Sequence, residues 1–255
     1  MSRESECEDM TQKPPAKHSE NKPQMRSQTQ FDKPVIVTID GPAASGKSSV
    51  SRELARRMGW NWVSTGAFYR GLAYVTHQSR VDLSNEDAVV QLAKAVNWSI
   101  KTTPEETRVY FNGEDVTAEI GREEIGTIAS RISSFPRVRL TLLEAQRHCA
   151  KGVAGLVAEG RDCGTVVFPH AQVKIFLTAR AEDRAARRAA EEGRDLGQTI
   201  TDQKQRDSQD ANRKTAPMQA STDSYTIDTT QLTLDQVIER VEGLVREKLP
   251  PMGSC

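Results

Sequence analysis

The sequence predicts an α/β protein organised around a parallel, doubly wound sheet of about five strands. Three observations carry that expectation. A short apolar, β-branched run, Val35-Ile36-Val37-Thr38-Ile39, leads through a glycine-rich turn into a helical pattern at Val50, Leu54, Ala55 and Met58 that Gly59 closes. Apolar runs and helical stretches then alternate along the chain, as they do when helices cover both faces of a parallel sheet. A terminal amphipathic helix completes the pattern, with Val237, Ile238, Val241, Leu244, Val245 and Leu249 on one stripe.

Taken in order, residues 1–32 come first and differ from the rest. They hold almost no apolar side chains and many Ser, Glu, Lys, Gln and Pro, so a disordered tail is expected. A single domain over 33–250 and a short tail over 251–255 follow. The first strand feeds Gly41-Pro42-Ala43-Ala44-Ser45-Gly46-Lys47-Ser48, which satisfies G-x-x-x-x-G-K-[ST] at every fixed position. Gly41 and Gly46 permit sharp turns, so that successive N–H groups converge, and the helix opening adds unpaired donors and the positive dipole end. Polyphosphate fits such a cradle, with Lys47 reaching the β- and γ-phosphates and the Ser48 hydroxyl in a Mg²⁺ shell.

A short strand, WNWVS, and a helix, GAFYRGLAYVTHQ, come next. The alternation then breaks over about 92–134. Two strand-like runs and the Asn112-Gly113 turn signal make a hairpin, and AEIGREEIGTIASRIS reads as one helix. On pattern alone this small antiparallel unit is either an acceptor-binding subdomain or a decoration. The helix PRVRLTLLEAQRHCAK follows, with Pro136 at its favoured opening position. The strands GLVAEG, VKIFLTA and SYTIDTT come after it, and the last helix begins at the Thr233/Gln236 capping box. The polar, glycine-bearing EEGRDLGQT breaks the helix AEDRAARRAAEEG and suits a lid over about 184–200.

Composition narrows the partners. Lys plus Arg and Asp plus Glu both number 35, so the net charge of zero calls for neither nucleic acid nor a membrane surface. Cys7, Cys149, Cys163 and Cys255 are scattered without a C-x-x-C pair, which suits a reducing cytoplasm and argues against zinc or a disulfide scaffold. No apolar run approaches membrane-spanning length. A cytoplasmic monomer is the expectation.

The chemistry lies in the arginines. No carboxylate base for an alcohol acceptor stands out, whereas Arg70, Arg137, Arg139, Arg161, Arg180, Arg184, Arg187, Arg188, Arg194, Arg206 and Arg213 are plentiful. A phosphate monoester is already ionised at neutral pH and needs no base; bringing two anions together is the difficulty, and forked guanidinium groups relieve it. Phosphoryl transfer to a phosphate is therefore favoured. Arg184, Arg187 and Arg188 fit catalysis and a salt-bridged surface equally well, because Arg187–Glu191 and Arg188–Glu192 are i,i+4 pairs. A kinase for another monophosphate or small alcohol, and a nucleotide-dependent switch, remain as rival readings.

Seven segments in order, TIDGPAASGKSS, STGAFYR, FPRVR, AEGRDCGTVVFP, KIFLTA, RDSQDANR and IDTT, resemble the bacterial cytidylate kinases, a family of nucleoside monophosphate kinases. The resemblance spans about Pro34 to Leu249. It implies a P-loop kinase fold with a five-stranded parallel sheet flanked by helices, a small α+β monophosphate-binding insertion, and a mobile lid. The activity implied is ATP-dependent, Mg²⁺-assisted phosphorylation of CMP and dCMP by in-line transfer. Carried onto matching positions, Lys47, Arg161, Arg187 and Arg188 are expected to be catalytic, and residues 41–48 with Ser49 to bind ATP. Arg70 and Arg161 would grip the acceptor phosphate; Arg139, Asp162 and Ser130 would read the cytosine edge. Arg206, Asp210 and Thr65 would hold the ribose, with Arg213 on the phosphate side. Thr65 and Ser64 differ from the usual D-S-G-A-x-Y-R, and Cys163 stands where a larger aliphatic residue is common and reads as packing.

Overall fold

The structure, a computed structural model, describes residues 33–193 and 195–249, without the side chains of Glu191 and Glu192. The expected tails, Arg194, Cys7, Cys255 and the i,i+4 pairings of Arg187 and Arg188 with Glu191 and Glu192 lie outside the described residues.

Five parallel strands form the central sheet: β1 (Val35–Asp40), β2 (Asn61–Ser64), β6 (Gly155–Gly160), β7 (Val173–Thr178) and β8 (Tyr225–Asp228), in the order β2-β6-β1-β7-β8. Val35 pairs with Gly155 and Asp40 with Gly160, while Val37 to Asp40 pair with Val173 to Phe176. Both faces are covered, which explains why β6 reads as a continuous apolar run. Within it the period of two assigns each residue to a layer. Leu156 and Ala158 pack with Phe68, Leu72, Val138 and Leu142 of α2 (Gly66–Gln78) and α5 (Pro136–His148). Val157 turns the other way, to Val50 and Leu54 of α1 (Lys47–Met58) and Val237, Ile238, Val241 and Val245 of α8 (Leu234–Lys248). The Thr233–Gln236 capping box forms reciprocally at the start of α8.

Between β2 and β6, which are neighbours in the sheet, the chain builds its accessory unit. α3 (Glu86–Ala95), capped by the Asn85 side chain, precedes the antiparallel strands β3 (Trp98–Thr102), β4 (Thr107–Phe111) and β5 (Glu114–Asp115). Residue 92 therefore falls inside a helix, and the antiparallel part begins at Trp98. Asn112 (φ 51°) and Gly113 (φ 88°) supply the two positive φ angles of the tight turn between β4 and β5. The single helix expected over 118–133 is two pieces, a 3-10 turn Glu119–Gly121 and α4 (Glu123–Ile132), because Arg122 is extended at φ −59°, ψ 149°.

After β6 a π-turn, Cys163–Val167, returns the chain to β7. Beyond β7, α6 (Ala181–Glu192) and α7 (Leu196–Ala211) form a helical hairpin. The expected open stretch after residue 190 is thus short: Gly193 turns at φ 63°, and the Asp195 carboxylate accepts from Gln198 N to start α7 at once.

Candidate active site

The carboxyl ends of the central strands open into a cleft of about 590 Å³. This is where a doubly wound sheet places its ligands. β1 delivers the phosphate loop there. A Cβ on Gly41, at φ +147°, would stand 2.1 Å from the Leu177 carbonyl oxygen, so the turn into the loop admits no side chain. Ala43, Ala44, Gly46, Lys47, Ser48 and Ser49 line the cleft, whereas Gly41, Pro42 and Ser45 form the layer behind it.

Lys47 is buried and its Nζ donates to the Pro42 carbonyl at 2.7 Å. Burial pushes its pKa down to about 7; Arg161 presses the same way, and Glu159, Asp40 and Asp207 oppose it. Ser48 Oγ donates to Glu159 at 2.8 Å (Oε1) and 2.9 Å (Oε2). No group of three or more His, Cys, Asp or Glu among the described residues could cage a metal. A hydroxyl beside a buried carboxylate nevertheless offers hard oxygen donors, the chemistry Mg²⁺ takes when phosphates and water complete its shell.

The other half of the cleft is cationic. Arg70, Arg161, Arg187, Arg188, Arg206 and Arg213 all line it. Burial lowers the Arg206 pKa to about 10, and Arg188, Arg70 and Arg161 add repulsion that Asp210 offsets in part. Such a crowd of guanidiniums is a field suited to an anion. Contacts of the fold orient Arg70, Arg161, Arg187, Arg206 and Arg213: Arg70 Nη1 donates to Ile120 O at 2.7 Å, Arg206 Nη2 to Gly126 O at 3.1 Å, and Arg161 Nε to Asp210 Oδ2 at 2.9 Å. Arg213 pairs with the second Asp210 oxygen and donates to Ser133 Oγ at 3.1 Å. Arg187 Nη2 reaches Thr229 O at 2.8 Å.

Arg139, on α5, is buried against Asp162 in an ion pair and lies over the Tyr69 ring at 5.4 Å. Ser130, on α4, lines the same cleft and donates to Gln209 Oε1 at 3.1 Å. Thr65 Oγ1 donates to Glu159 O at 2.8 Å. Cys163 is fully buried and burial raises its thiol pKa well above the ordinary value, which leaves it unreactive packing as expected.

Thus the expected acceptor residues converge on one cleft with the loop. Four participants were not anticipated: Glu159, Asp40, Gln203 and Asp207. The first two had a signal, since a carboxylate inside or ending a strand that is otherwise apolar is rare unless paired or used. Asp40 accepts from Cys163 N at 2.9 Å and Gly164 N at 2.7 Å, fixing the turn that carries Arg161 and Asp162.

Comparison with known proteins agrees with this geometry. The cytidylate kinase family model matches residues 37–247. The chain is 55% identical over 215 residues to the cytidylate kinase of Bdellovibrio bacteriovorus, covering 84% of this chain and 99% of that one. It is 44% identical to that of Azotobacter vinelandii (82% and 94% covered) and 42% identical to that of Mycobacterium avium (84% and 96%).

Proposed function

The chain belongs to the cytidylate kinase family, enzymes that phosphorylate CMP with ATP, and we propose the residues by which it does so and that dCMP is accepted too. The observation that carries the assignment is the meeting of a complete phosphate loop with a cluster of guanidiniums in one cleft.

Amides of the loop and the α1 N-terminus receive the donor phosphates, and Lys47 turns from Pro42 O to the transferring group, where its charge opposes the charge that develops. Mg²⁺ would be held by Ser48 with Glu159 behind it, and would supply neutralisation of phosphate charge. Arg70 and Arg161 hold the acceptor phosphate, and Arg187 and Arg188 from α6 neutralise the bridge between the substrates. An acceptor oxygen attacks the γ-phosphorus in line, its bond forming as the bond to the β–γ bridging oxygen breaks, and ADP leaves; no proton must be removed first.

Base choice follows from polarity. Arg139 donates to cytosine N3 while Asp162 and Ser130 accept from its N4 amino group. Uracil reverses both polarities, at about 1–3 kcal/mol per unsatisfied group. Arg206, Asp210 and Thr65 address the sugar, and Arg213 the phosphate side. The segment 92–134 serves as the acceptor-binding insertion and the segment 184–200 as the lid. The enzyme works as a cytoplasmic monomer. ADP release measured with CMP, dCMP, UMP and AMP tests this reading: CMP is expected to lead, and faster turnover with AMP would overturn it.

A further inference from the structure

One residue of the phosphate loop is bonded on both backbone groups by side chains from the helical hairpin. Ala43 N donates to Asp207 Oδ1 at 3.3 Å. Ala43 O accepts from Arg184 Nη1 at 3.0 Å and from Gln203 Nε2 at 2.9 Å. Arg184 Nη1 also reaches Asp207 Oδ2 at 2.6 Å, and its Nε donates to Ala179 O at 3.0 Å, which closes the network. Arg184 and Gln203 are buried. Arg184 is therefore part of the donor cradle's foundation, although it falls within the expected lid.

Gln203 and Asp207 lie four apart on α7. On the adjacent row of the same helix stand Arg206 and Asp210, with Arg213 just past its end, all lining the acceptor half. One helix thus holds the donor loop along one row and faces the acceptor along the next. Gln203 makes this contact at a cost, since its Oε1 is buried without a hydrogen-bond partner. A leucine would fill the same space without that penalty, so packing alone does not account for the amide.

We propose that Gln203 and Asp207 are positioning residues that couple the two substrate sites, so that acceptor bound on α7 steadies Ala43 and tightens ATP binding. The coupling rests on the CMP kinase reading of the cleft. By linkage it is reciprocal: ATP tightens CMP binding by the same factor. Its physical source is conformational freedom of the loop, lost once when α7 is fixed by the acceptor and not lost again when the donor binds.

The test is the dissociation constant of a non-hydrolysable ATP analogue with and without saturating CMP, by calorimetry on the full chain. CMP is expected to tighten the analogue at least about fivefold in the wild type. In Gln203→Leu the ratio should fall below about twofold, with CMP affinity in the absence of analogue little changed and the urea midpoint unchanged or higher. Asp207→Asn, which keeps an acceptor for Ala43 N but loses the charge facing Arg184, should give an intermediate ratio. An unchanged ratio in Gln203→Leu, or equal weakening of the analogue with and without CMP, would overturn the coupling while CMP turnover left the assigned reaction standing. Absence of CMP turnover in the wild type would remove the reading itself and the coupling with it.

Discussion

Ser48 Oγ lies within hydrogen-bond distance of both carboxylate oxygens of Glu159, 2.8 and 2.9 Å away, so the strand beside β1 sets the hydroxyl at the mouth of the phosphate loop. Replacing Glu159 by Gln keeps the size and removes the charge behind Ser48. We expect kcat to fall about 10–100-fold and the Mg²⁺ concentration for half-maximal rate to rise, as for other groups that orient a metal's ligand. A Mg²⁺ titration of wild type and Glu159→Gln measures both; an unaltered Mg²⁺ requirement would remove Glu159 from the metal's surroundings.

Lys47 gives a rate effect and a proton effect. Lys47→Met should lower kcat by about 10²–10³ through loss of a preorganised charge. In the protein alone the Lys47 pKa is lowered from 10.5 to about 7, so above pH 7 the amine is mostly neutral. Polyphosphate favours the ammonium form, and ATP binding at pH 8 should take up a proton and weaken as pH rises. Calorimetry in two buffers of different ionisation enthalpy reads this uptake, and Lys47→Met should abolish it.

Arg139→Met should separate recognition from folding. Loss of the guanidinium should cut kcat/KM for CMP by about 5–150-fold, the worth of one unsatisfied polar contact, and leave UMP turnover nearly as it was. It also strands the buried Asp162 carboxylate, which is expected to cost about 3–5 kcal/mol in urea unfolding. Asp162→Asn placed on top of Arg139→Met should recover part of that stability without recovering the base preference.

Asp40 links stability to pH with an unusual sign. Burial raises its pKa from 3.8 to about 6, with Asp162 adding to the rise and the amides of Gly164 and Cys163 opposing it. Between those values the folded protein holds a proton that the unfolded chain has released, so this group's contribution to stability falls as pH rises. Relative to Asp40→Asn, the wild type should lose about 2 kcal/mol between pH 4 and pH 7. Urea unfolding of both proteins across that range checks it, and parallel curves would contradict the shift.

Much of this was legible before any coordinates. The spans of α2 and β6, Pro136 opening α5, the Asn112-Gly113 turn and the Thr233–Gln236 box follow from local rules, and the structure has each of them. Local rules were insufficient where long-range partners decide. α3 carries only two fully buried positions, Val89 and Val90, and its pattern was correspondingly faint. The chain from 190 to 200 reads as a break by composition, yet Asp195 caps a new helix within two residues of Gly193. In the site, motif residues converge as expected. Gln203 lies outside every family-like segment and Asp207, although inside RDSQDANR, carries no expected role, because their partner is the backbone of Ala43, some 160 positions away, which has no sequence signature.

β2 and β6 are adjacent but parallel, with Ser64 level with Glu159, so residues 65 to 154 leave the main sheet at its carboxyl edge and cross back to its amino edge to enter β6 at Gly155. Topologically that whole stretch is a plug-in cassette. It carries Arg70, Ser130 and Arg139, while the donor loop, Lys47 and Glu159 stay with the chassis. Asp162, Arg206 and Asp210 also stay outside it, so grafting a relative's cassette between Ser64 and Gly155 should change only part of the proposed acceptor reading.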